Sequence, residues 1–308
     1  MANVTTIYAC AQDGLYIFNK PGTAMEWLPG RRVLEGRRVV ASWAEPGPPV
    51  RLLAAVGVEG DQEAGELLLS ENGGRAWETA LDAPVTSILG FESDPSRLYV
   101  GMAGGGIAAS VDGGTSWGVL PGIMQGGSVR HMAQDLLDTQ RFFALLEQDG
   151  TTSLLVGNPE QGEWQHLAIS GPQALAQETG SGDLYAATSD GVQIGPDGGR
   201  MWDLLPGSPP EGTAIAAISG PRDTPPTLVV GTASALFLSP GGGDTWQAVD
   251  LPQPGGIAAI ARDPERRDRL YAATAGGYLF ESGNRGQTWE PVNEHPAGAI
   301  TSLFVLRL

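Results

Sequence analysis

Short apolar runs, broken every few residues by glycine, proline, asparagine or aspartate, set the rhythm of the chain. Between residues 84 and 121 the runs PVTSILGFE (84–92), RLYVGMA (97–103), GIAASV (106–111) and SWGVLP (116–121) are strand-length and bounded by turn residues. We label such a quartet a, b, c and d. The same grammar returns in DLYAATSDGVQIGPDGGRMWDLLPG (183–207) and RLYAATAGGYLFESGNRGQTWEPV (269–292). The b runs are apolar on successive residues, which predicts strands covered on both faces by neighbouring sheets. Ala186, Ala187, Ala272, Ala273 and Gly101 lie within those runs and predict close approach between sheets.

The link between c and d repeats most visibly. The octets SENGGRAW (70–77), SVDGGTSW (110–117), GPDGGRMW (195–202), SPGGGDTW (239–246) and SGNRGQTW (282–289) carry Gly at the fifth position and Trp at the eighth. Asn72, Asp112, Asp197 and Asn284 at the third position can accept hydrogen bonds from their own turn backbone. Gly74, Gly114, Gly199, Gly243 and Gly286 tolerate positive φ. The indole of Trp77, Trp117, Trp202, Trp246 or Trp289 can then fold over the hairpin, with its N–H seeking a partner. Two degenerate copies, KPGTAMEW (20–27) and GNPEQGEW (157–164), keep the length and the Trp.

Seven octet tryptophans, at 27, 77, 117, 164, 202, 246 and 289, are spaced by 50, 40, 47, 38, 44 and 43 residues, the period of a four-stranded propeller blade. The expected fold is an all-β, seven-bladed β-propeller of four-stranded antiparallel blades. The last segment, AGAITSLFVLRL (297–308), reads as an a strand with nothing after it. The N-terminal runs VTTIYACA, GLYIFN and MEWLPG read as b, c and d without an a. Pairing the two ends would close the ring and remove two sheet edges. One domain, 1–308, is expected, with blade 1 at 297–308 plus 4–29. Blades 2 to 7 follow at 38–81, 84–121, 128–169, 172–206, 212–251 and 255–293.

Composition agrees with a globular β protein: 41% apolar and 17% charged residues, with 45 Gly and 23 Pro clustered at turns. The net charge of −17 opposes generic binding to nucleic-acid phosphates or anionic lipid headgroups. A single cysteine, Cys10, excludes an intramolecular disulfide and reads as a small buried hydrophobe. The first residues show no basic segment followed by an apolar stretch, and no apolar run has the length of a membrane span, so a cytoplasmic location is the expectation.

The octets resemble the Asp-box, or bacterial neuraminidase repeat, with the pattern Ser-x-Asp-x-Gly-x-Thr-Trp. Ser70, Ser110, Ser239 and Ser282 hold its first position. Together with the strand grammar, the resemblance covers essentially the whole chain and implies a propeller. The motif occurs in sialidases, xyloglucan-type glycoside hydrolases, sortilin-like receptors and photosystem II assembly factors, so it implies no single activity. In those families the box lies opposite the active site, which implies a structural role for its aspartates.

Ligand-binding residues are therefore expected on the d–a and b–c connections, most of which are short. LPGRRVLEGRR (28–38) puts Arg31, Arg32, Arg37 and Arg38 within eight residues, a set of guanidinium forks suited to carboxylate, phosphate or sulfate. The plainer reading has them solvated and neutralising acids such as Glu35. VGVEGDQEAGE (56–66) offers Glu59, Asp61, Glu63 and Glu66 to a cation or basic partner, or forms a solvated flexible hairpin. LPGIMQGGSVRH (120–131) contributes Met124, Arg130 and His131, and VNEHPAG (292–298) contributes Glu294 and His295. The histidines at 131, 166 and 295 lack metal-ligand spacing, so neither a metal nor a cofactor is expected.

Hydrolysis would call for an arginine triad with a Tyr–Glu pair, or for two facing carboxylates drawn from Asp61, Glu63, Glu147, Asp149, Asp190 and Glu294. The Arg-Ile-Pro signature of sialidases is absent, and Tyr8, Tyr99, Tyr185 and Tyr271 fall at like positions in b strands, where packing explains them. No Gly-x-Ser-x-Gly elbow, Walker loop or Cys-x-x-Cys pair is present. The favoured expectation is a non-enzymatic protein-interaction or assembly scaffold, with another protein as partner. Outer strands such as MEWLPG and EWQHLAI would be able to accept an added strand. The alternative is a glycan-binding or glycoside hydrolase propeller, with an anionic or glycan ligand.

Overall fold

A computed structural model describes residues 4–307, apart from 23, 48–49, 59, 92, 122–125, 219–224 and the side chains of Gln62 and Glu63. Seven four-stranded antiparallel sheets account for its regular structure, and the chain is an all-β, seven-bladed propeller. The first sheet runs Ile300–Arg307, Val4–Ala11, Gly14–Pro21 and Arg31–Val33, so the C-terminal strand joins the N-terminal one as the sequence predicts. Blade 2 comprises Arg38–Ala44, Leu52–Val58, Asp61–Ser70 and Glu78–Leu81. Blade 3 comprises Val85–Phe91, Asp94–Met102, Ile107–Ser110 and Gly118–Val119, and blade 4 Ser128–Gln134, Phe142–Gln148, Thr151–Asn158 and Glu163–His166. Blades 5, 6 and 7 begin at Ala174–Gln177, Gly212–Ile218 and Ile257–Arg262.

Two compact units divide these sheets, Met1–His166 with Ser302–Leu308 and Leu167–Thr301. Within the first unit, Tyr8, Cys10, Leu15 and Leu306 of blade 1 pack against Val39, Leu52, Ala54 and Leu68 of blade 2. Trp43, Leu53 and Leu67 pack in turn against Leu98 and Val100 of blade 3. Tyr99 and Ile107 meet Phe142 and Leu146 of blade 4. In the second unit, Val229 and Leu238 of blade 6 meet Leu270 and Phe280 of blade 7. The continuous apolar b runs are explained by this double coverage: Leu98, Tyr99 and Val100 are all fully buried.

The first strands carry a repeated irregularity. Among the described residues, five of them bulge just after their first buried residues, between Val39 and Ala41, Val85 and Ser87, Val129 and His131, Gly212 and Ala214, and Ile257 and Ala259. An extra residue bends a strand and re-aims its side chain. At two bulges the extra residue is a threonine, whose hydroxyl ties its blade to the next. Thr86 Oγ1 donates to Val129 O at 2.7 Å and Thr213 Oγ1 to Ile257 O at 2.6 Å. Beside each tie sits a b-strand glycine. A Cβ on Gly101 would stand 2.7 Å from Val129 Cβ, and one on Gly231 would stand 2.4 Å from Ile257 Cβ. The close approach expected at Gly101 is real, and its cause is the side chain of the next blade.

The octets are hydrogen-bonded turns. Ser110 Oγ accepts from Gly114 N at 2.8 Å and donates to Asp112 Oδ1 at 2.8 Å, while Asp112 Oδ1 accepts from Ser116 N at 2.9 Å. Ser70–Asn72 and Ser282–Asn284 repeat the arrangement, and Ser239 accepts from Gly243 N. The fourth and fifth positions take positive φ in every one of the five, including non-glycine Arg285 at 61°. Trp117, Trp246 and Trp289 donate their indole N–H to the fifth-position carbonyl at 3.0, 3.1 and 3.0 Å. For Trp77, Trp164 and Trp202 the buried nitrogen finds no partner among the described residues. Fourth-position N–H groups of four octets donate to carbonyls at or just before the start of strand b, those of Val50, Ser96, Pro226 and Asp268. Octets and a–b turns therefore share one face of each blade, leaving b–c and d–a connections at the other.

In blade 1 the fourth strand is Arg31–Val33, not residues 25–30. KPGTAMEW lacks the Ser–Asn/Asp brace and the paired glycines, so the chain returns to the sheet only after Trp27. Leu15 then pairs with Val33, Tyr16 with Arg32 and Ile17 with Arg31.

Candidate functional site

The later strand start moves Arg31 and Arg32 from a connection onto a sheet edge, and the four arginines disperse. Arg31 Nη2 donates to Gly73 O in the blade 2 octet at 2.6 Å. Arg32 pairs with Asp13 at 2.7 Å and with Glu35 at 3.7 Å, and its guanidinium lies over the Tyr16 ring. Arg37 pairs with Glu66 at 2.6 Å, a carboxylate that also accepts from Thr79 at 2.6 Å. Those hydrogen bonds, first Thr79 and then Arg37, hold Glu66 below the usual glutamate pKa. Arg38 opens strand a of blade 2 opposite Gly57. Arg32 and Arg37 are thus neutralised locally, and Arg31 is bound to a carbonyl. Residues 56–66, read as a flexible hairpin, instead extend strands b and c to Val58 and from Asp61, fastened through Glu66. Glu59, Met124 and the side chain of Glu63 lie outside the described residues.

Arg130 and His131 stand together on the bulge of strand a in blade 4. Val129 and Met132 on either side are buried, whereas both polar side chains are exposed. Arg130 Nη2 meets Glu147 Oε2 of the neighbouring b strand at 2.5 Å. Protein around His131 withholds solvation from an imidazolium and pulls its pKa below the usual value, even though the ring itself is open to water. Behind it, Val129 O accepts from Thr86 and from Ser87, so the bulge backbone is held from the adjacent blade.

Glu294 and His295 belong to the second unit, exposed on the connection after blade 7. Asn293 shapes that connection, accepting from Leu279 N at 2.8 Å and donating to His295 O at 2.7 Å. Asp149 and Asp190 are exposed turn residues. Among the described residues no group of three His, Cys, Asp or Glu side chains is placed to hold a metal ion.

Tyr8, Tyr99, Tyr185 and Tyr271 are buried in their b strands, and burial raises the pKa of each phenol, Tyr99 and Tyr185 to about 12. Tyr99 does meet a glutamate. Its hydroxyl donates to Glu160 at 2.8 Å and accepts from Arg97 Nε at 2.8 Å, while Arg97 pairs with Glu160 at 2.5 Å. This trio lies at the octet end of blades 3 and 4, with Tyr99 wholly enclosed.

A set of buried carboxylates escaped the sequence reading. Asp135, Glu178 and Asp263 begin a–b turns, with Asp263 Oδ1 accepting from Glu265 N and Arg266 N. Glu45, Asp135 and Asp263 each stand six residues before an arginine. Their N–H groups donate to Arg51 O, Arg141 O and Arg269 O at 2.9, 2.9 and 3.1 Å. That spacing is the signal that would have found them as turn formers.

No protein-family model matches the chain, and no curated protein matches it. Solved structures do. A GH74 xyloglucanase from Xanthomonas campestris superposes with a TM-score of 0.66 at 16% identity, over 97% of this chain and 55% of that one. The chain therefore spans about half the length of that enzyme chain. YCF48 bound to D1 peptide gives 0.56 at 16% identity over 84% of each chain, and a chain of a nidogen/laminin complex gives 0.56 at 10% identity over 98% of each. All are seven-bladed propellers, and at these identities the likeness defines the fold class alone. Among the described residues no helix is long and apolar enough to cross a membrane.

Proposed function

We propose that this propeller is a non-enzymatic scaffold that holds a protein or peptide partner, and that its octets are Asp-boxes in a bracing role. The observation that carries the reading is the state of the Tyr99–Glu160 pair. A nucleophilic phenol must reach substrate and lose its proton readily. Tyr99 is fully buried, its pKa is pushed up to about 12, and Arg97 occupies the other side of Glu160. Of the acidic candidates, Glu147 is committed to Arg130; Glu66 is likewise held by Arg37 and Thr79. The YCF48 and nidogen/laminin structures were each determined with a peptide or protein partner, which supports binding as the common use of this shape. A cytoplasmic setting accompanies the proposal, since lone Cys10 leaves the chain without an internal disulfide.

The likeness to the xyloglucanase over 97% of the chain favours one second reading, recognition or hydrolysis of a glycan. A single comparison separates the two. The purified chain is incubated with xyloglucan oligosaccharides and a panel of aryl glycosides, and in parallel a captured partner is purified and recombined with it. A stoichiometric recombined complex without turnover is the expected outcome; turnover above that of the heat-denatured chain overturns the scaffold reading.

A further inference from the structure

The repeats supply an internal control for their own side chains. The bulge pairs are Val40–Ala41 in blade 2, Thr86–Ser87 in blade 3, Arg130–His131 in blade 4, Thr213–Ala214 in blade 6 and Ala258–Ala259 in blade 7. Four of these pairs are small and uncharged, and the threonines spend their hydroxyls on the neighbouring blade. A bulge is thus built and stabilised without charge. Blade 4 alone among the five replaces this filler with a guanidinium and an imidazole, both exposed. Packing does not explain the change, because neither side chain is buried.

The pair is also held in place. Thr86 and Ser87 both donate to Val129 O, at 2.7 and 2.8 Å, and Gly101 lets the Val129 side chain lie against the third blade. A recognition group on a fixed backbone loses little freedom on binding. Glu147 takes one terminal nitrogen of Arg130, leaving the remaining guanidinium donors for a ligand. His131, neutral near pH 7, can add one further donor. Arg130 and Glu147 cancel in charge, so this corner does not match a phosphate dianion. It suits a monoanionic group that takes two or three directed hydrogen bonds.

We propose that the Arg130–His131 bulge is the recognition point for a carboxylate on the peptide or protein partner, whether an Asp or Glu side chain or a chain terminus. The inference rests on the scaffold reading and names the chemistry of its partner.

The test uses the full chain and four pools of octapeptides labelled with an uncharged, carboxylate-free BODIPY dye, with or without Asp and Glu, each with a free or an amidated C terminus. Anisotropy titration is expected to show binding by carboxylate-bearing pools and none by the amidated pool that lacks Asp and Glu. The two mixed pools distinguish side-chain from terminal carboxylate. Arg130→Gln is expected to weaken binding about tenfold, and His131→Ala several-fold. Glu147→Gln, which frees the guanidinium, is expected to tighten it about threefold or more; this opposite sign does not arise from misfolding. Equal binding by the carboxylate-free pool, no binding by any pool, or unchanged affinity in Arg130→Gln and Glu147→Gln overturns the inference. Those results leave the scaffold reading intact if the recombined partner complex persists, whereas glycoside turnover removes that reading independently.

Discussion

Thr86 of the third blade donates its hydroxyl to the carbonyl oxygen of Val129 in the fourth at 2.7 Å, and the same oxygen accepts from Ser87 at 2.8 Å. Either hydroxyl alone can satisfy that acceptor. Thr86→Val or Ser87→Ala is expected to cost about 0.5–1 kcal/mol, and the double variant, which strips the carbonyl of both, about 1–3 kcal/mol. Urea unfolding of the four proteins checks this, and an unchanged midpoint in the double variant refutes a stabilising tie.

Gly101 makes a sharper prediction. A methyl there would stand 2.5 Å from Ser87 Oγ and 2.7 Å from Val129 Cβ. Gly101→Ala is expected to destabilise by about 1–3 kcal/mol through overpacking. Gly118→Ala serves as the control, since nothing lies within 4 Å of its added methyl. Thermal melts in which both variants match the parent would remove the close-approach account.

The octet tryptophans should not be equivalent. Trp117 donates to Gly114 O at 3.0 Å, whereas Trp77 has a buried N–H without a partner. Trp117→Phe loses ring area and a hydrogen bond; Trp77→Phe loses ring area and removes an unsatisfied donor. The first is expected to be more costly by about 1 kcal/mol. Chemical denaturation of the pair decides it, and equal losses would show that the hydrogen bond contributes nothing.

Asp112 gives the pH prediction. The Ser116 hydroxyl and N–H, followed by the Ser110 hydroxyl, hold its carboxyl well below the usual aspartate value, at about 2. A depressed folded pKa stabilises the fold above the unfolded pKa of about 3.9, and that contribution is lost as pH falls toward 2. Carbon-detected NMR titration should place Asp112 near the lower value, and Ser116→Ala should raise it. An ordinary aspartate midpoint in the parent protein would contradict the brace.

Much of this architecture is legible in the sequence because its parts are local. SENGGRAW, SVDGGTSW and SGNRGQTW announce turns through residues that bond to their own backbone, and a Trp at the eighth position fixes where strand d begins. Glu78 follows Trp77 and Gly118 follows Trp117 directly. Where local chemistry fails, so does the reading: KPGTAMEW has no brace, and strand d slips to Arg31. The bulges are invisible to periodicity, since one inserted residue changes no composition. Arg130 and His131 were visible as polar neighbours, but the Glu147 contact, the Thr86 anchor and the contrast with Thr213–Ala214 required strands to be placed side by side. The Arg31–Arg38 cluster disperses for the same reason, because sequence proximity concealed the acids that Arg32 and Arg37 reach and the carbonyl that takes Arg31.

The first sheet joins Val4–Ala11 to Ile300–Arg307, segments that the six other blades separate along the chain. During synthesis the hairpin of Val4–Ala11 and Gly14–Pro21 emerges six blades ahead of Ile300–Arg307, and until that strand arrives one flank of its peptide groups is bare. During that interval the vacancy fits the same eight-residue segment from a neighbouring nascent copy as well as its own. Strand exchange between copies on crowded polysomes then competes with closure within one chain, and the balance turns on how quickly the intervening blades are made.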